Sequence, residues 1–360
     1  MTLAPLAGHH EARKRLSDAF RANRIPQVLL FVGPVGIGRQ RLALWLAQLL
    51  VCEHPGAEPC GTCGPCRKVL GLSHPDVHWL IPMPRPKAAE PGKQVEEAGE
   101  TLAGILAERR ETPLYGPLDG MASHSIASVR LLQRQAALSS VEAKHRVFII
   151  GDAERLVPQE SADAAANALL KLLEEPPAGA VFVLTAADPR RLLPTIRSRT
   201  VPLRLNPLPG AEVKAFLEQH GAVPARELDR RVREAAGSIG AALWLDESSA
   251  AVRESAVAFL ESLTRGQGAR LGRAIRQGPY EARGDFTAML DALSDTLMSA
   301  ARVSVNGPRR GACPESLRGR DPAVLLDAAR RVTDAREAAQ DNVNPQLLLA
   351  VLGEQLAEIL

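Results

Sequence analysis

An α/β fold built on a parallel sheet, followed by helices alone, is what this sequence predicts. Three observations carry that reading. Short apolar runs at residues 27–32 (QVLLFV), 146–150 (RVFII) and 180–185 (AVFVLT) are continuous rather than alternating, as in strands buried on both faces. Stretches with helical spacing lie between them. After Pro207 the strand-like runs stop, and every periodic stretch is helical.

The elements follow in order. Residues 27–32 form a strand that ends at a glycine, and residues 39–51 have helical spacing. Residues 76–81 (DVHWLI) read as a second strand, 126–139 as a helix, 146–150 and 180–185 as further strands, and 200–205 as a fifth. Residues 83–125 interrupt the pattern. They are rich in Pro, Gly, Glu and Arg, with one helix expected near 95–110, and read as a surface excursion without chemistry. Residues 210–220 and 225–236 are helical, and 237–245 begins another helix. A length of 360 residues suggests two or three domains. The expected division is a core at 1–207, a small helical domain at 208–249 and a helical bundle at 250–360.

Composition narrows the function. The net charge of +3 is too small to imply nucleic-acid binding by itself. Only seven of the 44 basic residues are lysine, so an arginine in place of a lysine says little here. No apolar run is long enough to span a bilayer. The opening MTLAPLAGHHEARKRL lacks the basic-then-apolar order of a signal peptide. A cytoplasmic protein without a membrane partner is expected.

The first strand leads into Gly33-Pro34-Val35-Gly36-Ile37-Gly38-Arg39-Gln40. A working phosphate loop reads G-x-x-x-x-G-K-[ST] between strand and helix. Gly33, Gly36 and Gly38 keep the backbone that cradles phosphate oxygens. Arg39 stands at the lysine, and Gln40 at the hydroxyl that holds magnesium. A neutral amide replaces that hydroxyl poorly. The alternative is a glycine-rich turn with no ligand.

The third strand runs into Gly151-Asp152-Ala153-Glu154. An ATPase places an Asp-Glu pair there, which puts Gly151 at the aspartate, Asp152 at the glutamate and Glu154 facing elsewhere. The runs NALLKLLEEPP at 167–177, LPTIRSRT at 193–200 and NVNPQLLL at 342–349 then make the likeness specific. The chain resembles the clamp-loader branch of the AAA+ ATPases, and within it the delta-prime subunits of bacterial DNA polymerase III. The likeness covers nearly everything except 83–125.

That resemblance implies an AAA+ core, a helical lid and a helical collar. It also implies a hetero-oligomer with gamma/tau motor subunits and a delta subunit, acting on a sliding clamp and primer-template DNA. Arg199, within Ser198-Arg199-Thr200, stands at the arginine offered in trans to a neighbour's ATP. Thr200 replaces the family's cysteine. The polar sensor position falls at Ala186–Ala187 and the lid arginine at Gly240. Hydrolysis by this chain is therefore not expected, and nucleotide binding is doubtful.

Cys52, Cys60, Cys63 and Cys66 are spaced C-x7-C-x2-C-x2-C. Four thiolates satisfy tetrahedral zinc and leave no open position, which makes the site structural. A redox pair at Cys60/Cys63 or Cys63/Cys66 is the alternative. The resemblance places a zinc module here, although the first gap is shorter than usual. His54, His74 and His78 read as solvated or capping residues, and Cys313 as a small buried one. Arg13, Lys14, Arg15, Arg21 and Arg24 make the first helix basic: a DNA-facing patch or a solvated face. Two other functions remain open: an active motor ATPase using Arg39, and a zinc-dependent DNA-binding protein.

Overall fold

A computed structural model describes residues 3–4, 6–116, 122–156, 164–220, 223–245, 247–278, 284–306, 314–339 and 343–360. Cys313 and Asn342, singled out above, lie outside them. The chain divides into two compact units, Met1–Trp244 and Leu245–Leu360.

The first unit is built on five parallel strands: β1 (Val28–Val32), β2 (Val77–Leu80), β3 (Arg146–Ile150), β4 (Ala180–Ala186) and β5 (Val201–Arg204), in the order β2-β3-β4-β1-β5. Val28 pairs with Phe182, Arg146 with Ala180, Val77 with Val147 and Leu29 with Val201. β3 and β4 are buried along their whole length, as their unbroken apolar sequence requires. β5, at the sheet edge, is mostly exposed and less apolar.

Helices α1 (His10–Arg21), α2 (Arg39–Val51), α3 (Gly64–Leu70), α4 (Pro91–Glu111), α5 (Ile126–Ala136), α6 (Ala164–Glu174) and α7 (Pro194–Arg197) accompany the sheet. α2 is apolar nearly all round, which suits a helix lying deep in a core. α8 (Gly210–Gln219), α9 (Ala225–Glu234) and α10 (Ile239–Leu243) share a smaller core of Leu208, Val213, Leu217, Leu228, Ala235 and Ala242.

The segment expected to be a surface excursion is partly core. α4 runs for 21 residues and buries Val95, Ala98 and Leu102, while Met83 is fully buried. Apolar residues at 95, 98 and 102 share one helix face, and α4 packs on α5. Pro and Gly at its ends hid that stripe.

The second unit holds α11 (Glu247–Thr264), α12 (Gln267–Ile275), α13 (Asp285–Asn306), α14 (Pro322–Ala338) and α15 (Pro345–Ile359). Its core includes Phe259, Phe286, Leu293, Leu325, Val332 and Leu352. Asn344 caps α15 by accepting from the N–H groups of Gln346 and Leu347.

One buried carboxylate fixes the loop beside edge strand β2. Asp76 is 1% exposed and accepts N–H bonds of 2.7 Å from Val141, Glu142 and Ala143. Burial alone would raise its pKa, but the three donors outweigh it and hold the pKa below the usual value. The clamp therefore stabilises the fold above the pKa of an unfolded aspartate, and is lost as pH falls through the depressed folded value. Asp76→Ala should cost about 2–4 kcal/mol in urea unfolding at neutral pH, with the difference from the parent chain narrowing at acid pH.

Candidate functional site

The loop after β1 turns tightly, with Gly36 at φ 75° and Gly38 at φ 106°. These are left-handed conformations that favour glycine. A second constraint acts on Gly36: a Cβ there would lie 2.6 Å from Ser238 Oγ and 2.9 Å from the N of Ala241. α10 is fastened onto the loop, because Gly240 N–H donates to Gly36 O at 2.9 Å and Ser238 Oγ donates to Val35 O at 3.0 Å. Gly240 meets the loop backbone directly, and a Cβ there would lie 2.6 Å from Gly36 Cα. His9 ties down the other side by donating Nε2–H to Ile37 O at 2.7 Å. Burial pushes the pKa of His9 down.

The side chains that follow close on one another. Arg39, 5% exposed, donates to Asp152 Oδ1 at 2.9 Å and stands 3.9 Å from Glu154 Oε1. Gln40 Nε2 donates to Asp152 Oδ2 at 2.9 Å, and Gln40 Oε1 accepts from Trp79 Nε1 at 3.0 Å. The amide lies over Gly151, where a Cβ would be 2.7 Å from Gln40 Oε1. Asp152 N–H donates to Thr185 Oγ1 at 2.9 Å.

Glu154 does not face elsewhere, as expected from sequence. The tight turn after β3, with Asp152 at φ 47°, brings it back toward Arg39. Its Oε1 accepts from Ala187 N–H at 2.9 Å. Burial raises its pKa, and the Arg39 guanidinium opposes that.

The interrupting segment also reaches this place. Arg109 of α4 is 5% exposed. Its guanidinium lies 4.6 Å from the Trp79 ring centroid and 4.0 Å from that of Tyr115. Trp244 Nε1 donates to Tyr115 O at 3.2 Å. The expectation of no chemistry in residues 83–125 is thus corrected: an arginine and a tyrosine from it line the loop's cavity.

Arg199 stands just beyond α7, away from that cavity's lining. It pairs with Glu174 Oε1 at 2.6 Å and donates to Thr195 O at 2.8 Å, both partners being partly exposed. Three of the basic residues on the first helix have acidic partners: Arg13 with Glu58, Arg15 with Glu11 and Arg21 with Asp18. Those pairings reduce the free positive charge of the patch.

The four cysteine sulfurs of Cys52, Cys60, Cys63 and Cys66 all lie within 4.8 Å of one another. Tetrahedral zinc with Zn–S bonds of about 2.3 Å spaces its sulfurs roughly 3.8 Å apart, so this set fits a zinc ion with little movement. Cys63 N–H points at Cys60 Sγ and Cys60 N–H at Cys52 Sγ, each at 3.3 Å. N–H donors from Cys63 and Thr62 draw the Cys60 thiol down to about 6, while burial pushes Cys52 and Cys66 up. The cysteine loop is anchored by Glu58, which accepts from Trp45 Nε1 at 2.8 Å. Gln48 donates to Cys66 O at 3.2 Å. The histidines are placed otherwise: His54 is exposed, His74 Nδ1 accepts from Asp76 N–H at 3.1 Å, and His78 stacks on Phe148.

A family model described as DNA polymerase III, delta subunit, matches residues 8–209. The chain belongs to that family. The match takes in the sheet, the loop, the cysteines and Arg199. Among the relatives of this delta-family chain is the gamma/tau subunit of DNA polymerase III from Mycobacterium tuberculosis, 30% identical over 96% of this chain and 54% of its own length. The delta' subunit from Escherichia coli is 29% identical over 94% of this chain and 91% of its own. The delta' subunit from Bacillus subtilis is 30% identical over 57% of this chain and 50% of its own. The chain thus spans about half the length of the gamma/tau relatives it matches. A solved gamma subunit-related protein from Thermotoga maritima aligns over 96% of this chain at 16% identity, with a TM-score of 0.39. No helix of the described residues is long and apolar enough to cross a membrane.

Of the residues singled out from sequence, Gly36, Gly38, Arg39, Gln40, Gly151, Asp152 and Gly240 converge in one place. Sequence reading missed Trp79, Arg109, Tyr115 and Thr185, none of which carries a motif. Two measurements follow. Removing the Asp152 carboxylate leaves a buried guanidinium without its closest partner, so Asp152→Ala should cost about 3–5 kcal/mol in chemical unfolding. The double variant with Arg39→Met should cost clearly less than the sum of the two single changes. The purified chain should carry one zinc ion by elemental analysis; Cys63→Ser should lose it and lower the thermal midpoint.

Proposed function

We propose that this chain is a non-hydrolysing subunit of the bacterial clamp loader within DNA polymerase III. It would help to open the sliding clamp and place it on primed DNA. The closed network of Arg39, Gln40, Asp152 and Trp79 is the observation that carries this reading. In a working loop the cation, the hydroxyl and the carboxylate face the terminal phosphates and magnesium. In this chain the cation is paired with Asp152, the hydroxyl is an amide, and position 151 has no side chain.

Arg199 would be the one catalytic group, supplied in trans to the ATP of a neighbouring gamma/tau subunit. Its pairing with Glu174 supports that role. A partly exposed ion pair contributes at most about 1 kcal/mol, so a neighbour's phosphates can take Arg199 from Glu174 readily. Helices α8–α10 would serve as the lid, within residues 208–249. The helices of residues 250–360 would form the collar that joins gamma/tau and delta subunits. The four cysteines would hold a structural zinc, and primer-template DNA would be a partner of the whole assembly.

A motor role has one observation in its favour, the likeness to gamma/tau subunits across most of this chain. ATP turnover separates the two. The isolated chain should show none. In an assembly reconstituted with motor subunits, Arg199→Ala should reduce ATP turnover by at least about tenfold, a lower bound set well under the roughly 10³–10⁵-fold that an arginine finger supplies at one site, and leave assembly intact. Turnover by the isolated chain, or an assembly indifferent to Arg199→Ala, would overturn the proposal.

A further inference from the structure

Residues 83–125 leave the sheet after β2 and return just before α5. The two ends of this excursion meet: Met83 and Ser123 exchange backbone N–H bonds of 3.1 and 3.0 Å. The returning end is pinned again, where Arg155 donates to Ala122 O at 2.9 Å and His124 Nε2 donates to Gly151 O at 2.7 Å. In between, α4 packs on α5. In its last turn Arg109 sets a buried guanidinium against the rings of both Trp79 and Tyr115. Such a contact is strongest where water is excluded.

The far end of this arrangement is Trp244, just past α10. Its Nε1 donates to Tyr115 O at 3.2 Å, across 129 residues of sequence. Its ring also lies over Gly240, where a Cβ would be 2.8 Å from Cη2, and beside Gly116, where a Cβ would be 3.9 Å from Cδ1. The indole thus fills the space beside a residue that has no side chain. α10 is therefore held at two points. Near its start, Ser238 and Gly240 bond the loop after β1. One turn later, Trp244 bonds the excursion. A single attachment leaves a short helix free to pivot about it. A second one, about 6 Å along the axis, removes that freedom.

We propose that residues 83–125 act as a clasp: Arg109 orients Tyr115, Tyr115 holds Trp244, and α8–α10, the helices proposed as the lid, stay docked on the sheet independently of any ligand. The three helices are held together because they share one small core. The clasp comes from a segment that carries none of the runs pointing to the family. It concerns the isolated chain alone, so it stands or falls apart from Arg199 and from ATP turnover.

The test is hydrogen exchange of the full chain without nucleotide, read by mass spectrometry. The amides of α10 are informative, because Gly240 donates to Gly36 O while Ala242 and Trp244 donate to Ser238 O and Gly240 O. Arg109→Met keeps a long side chain and loses the cation. It should speed exchange at 239–244 by about tenfold. Trp244→Phe keeps a ring and loses the indole N–H, and should speed the same amides by about threefold. Both variants should also speed exchange at 114–116, while β3 and β4 keep the parent rate. If Arg109→Met fails to fold and exchanges throughout, Trp244→Phe decides. Exchange at 239–244 that stays at the parent rate in Trp244→Phe, or in a folded Arg109→Met, would overturn the proposal, because the excursion would then only pack on the sheet.

Discussion

The Asp152 carboxylate is held by Arg39 and Gln40 at the start of α2, and its own N–H is held by Thr185. Much of the site's geometry depends on this node. It ties the start of α2 to the end of β3, and β3 to the end of β4. Because Gln40 also accepts from Trp79, the edge strand β2 joins the same network. Four segments are thereby joined by side chains of the protein itself. Low local dielectric strengthens the bonds of such a network, and burial makes each lost partner costly.

Around that node the backbone is equally committed. The loop is fastened to α10 through Gly240 and Ser238, and to the N-terminal segment through His9. Arg199, by contrast, is held in the open, by a partly exposed ion pair, a carbonyl and the Ser198 hydroxyl. Groups near the loop are fixed in buried surroundings, and the group proposed to act on a neighbour is held where solvent weakens its contacts.

The sheet was legible in the sequence because strands buried on both faces must be continuously apolar, and the three central ones, β1, β3 and β4, nearly are. The loop was legible because glycine is required where φ is positive. The four cysteines were legible from spacing alone. Other features were not. Glu154 was misjudged because strand alternation fails once the chain enters a tight turn. Residues 83–125 were misjudged because their composition resembles a surface loop while α4 buries only one stripe. Arg109 and Tyr115 had no local signal at all: their place depends on where α4 ends relative to β2, which is a tertiary fact.

The contact of Gly240 with Gly36 and the amide of Gln40 over Gly151 bear on how such a site can change over time. A carboxylate placed at 151 meets Gln40, and a long cation placed at 240 meets the loop backbone. A hydroxyl placed at 40 strands both Asp152 Oδ2 and the Trp79 indole. Each of these single changes is unfavourable unless the others accompany it. Substitutions in this part of the fold are therefore coupled, and positions 40, 151 and 240 vary together more readily than one at a time.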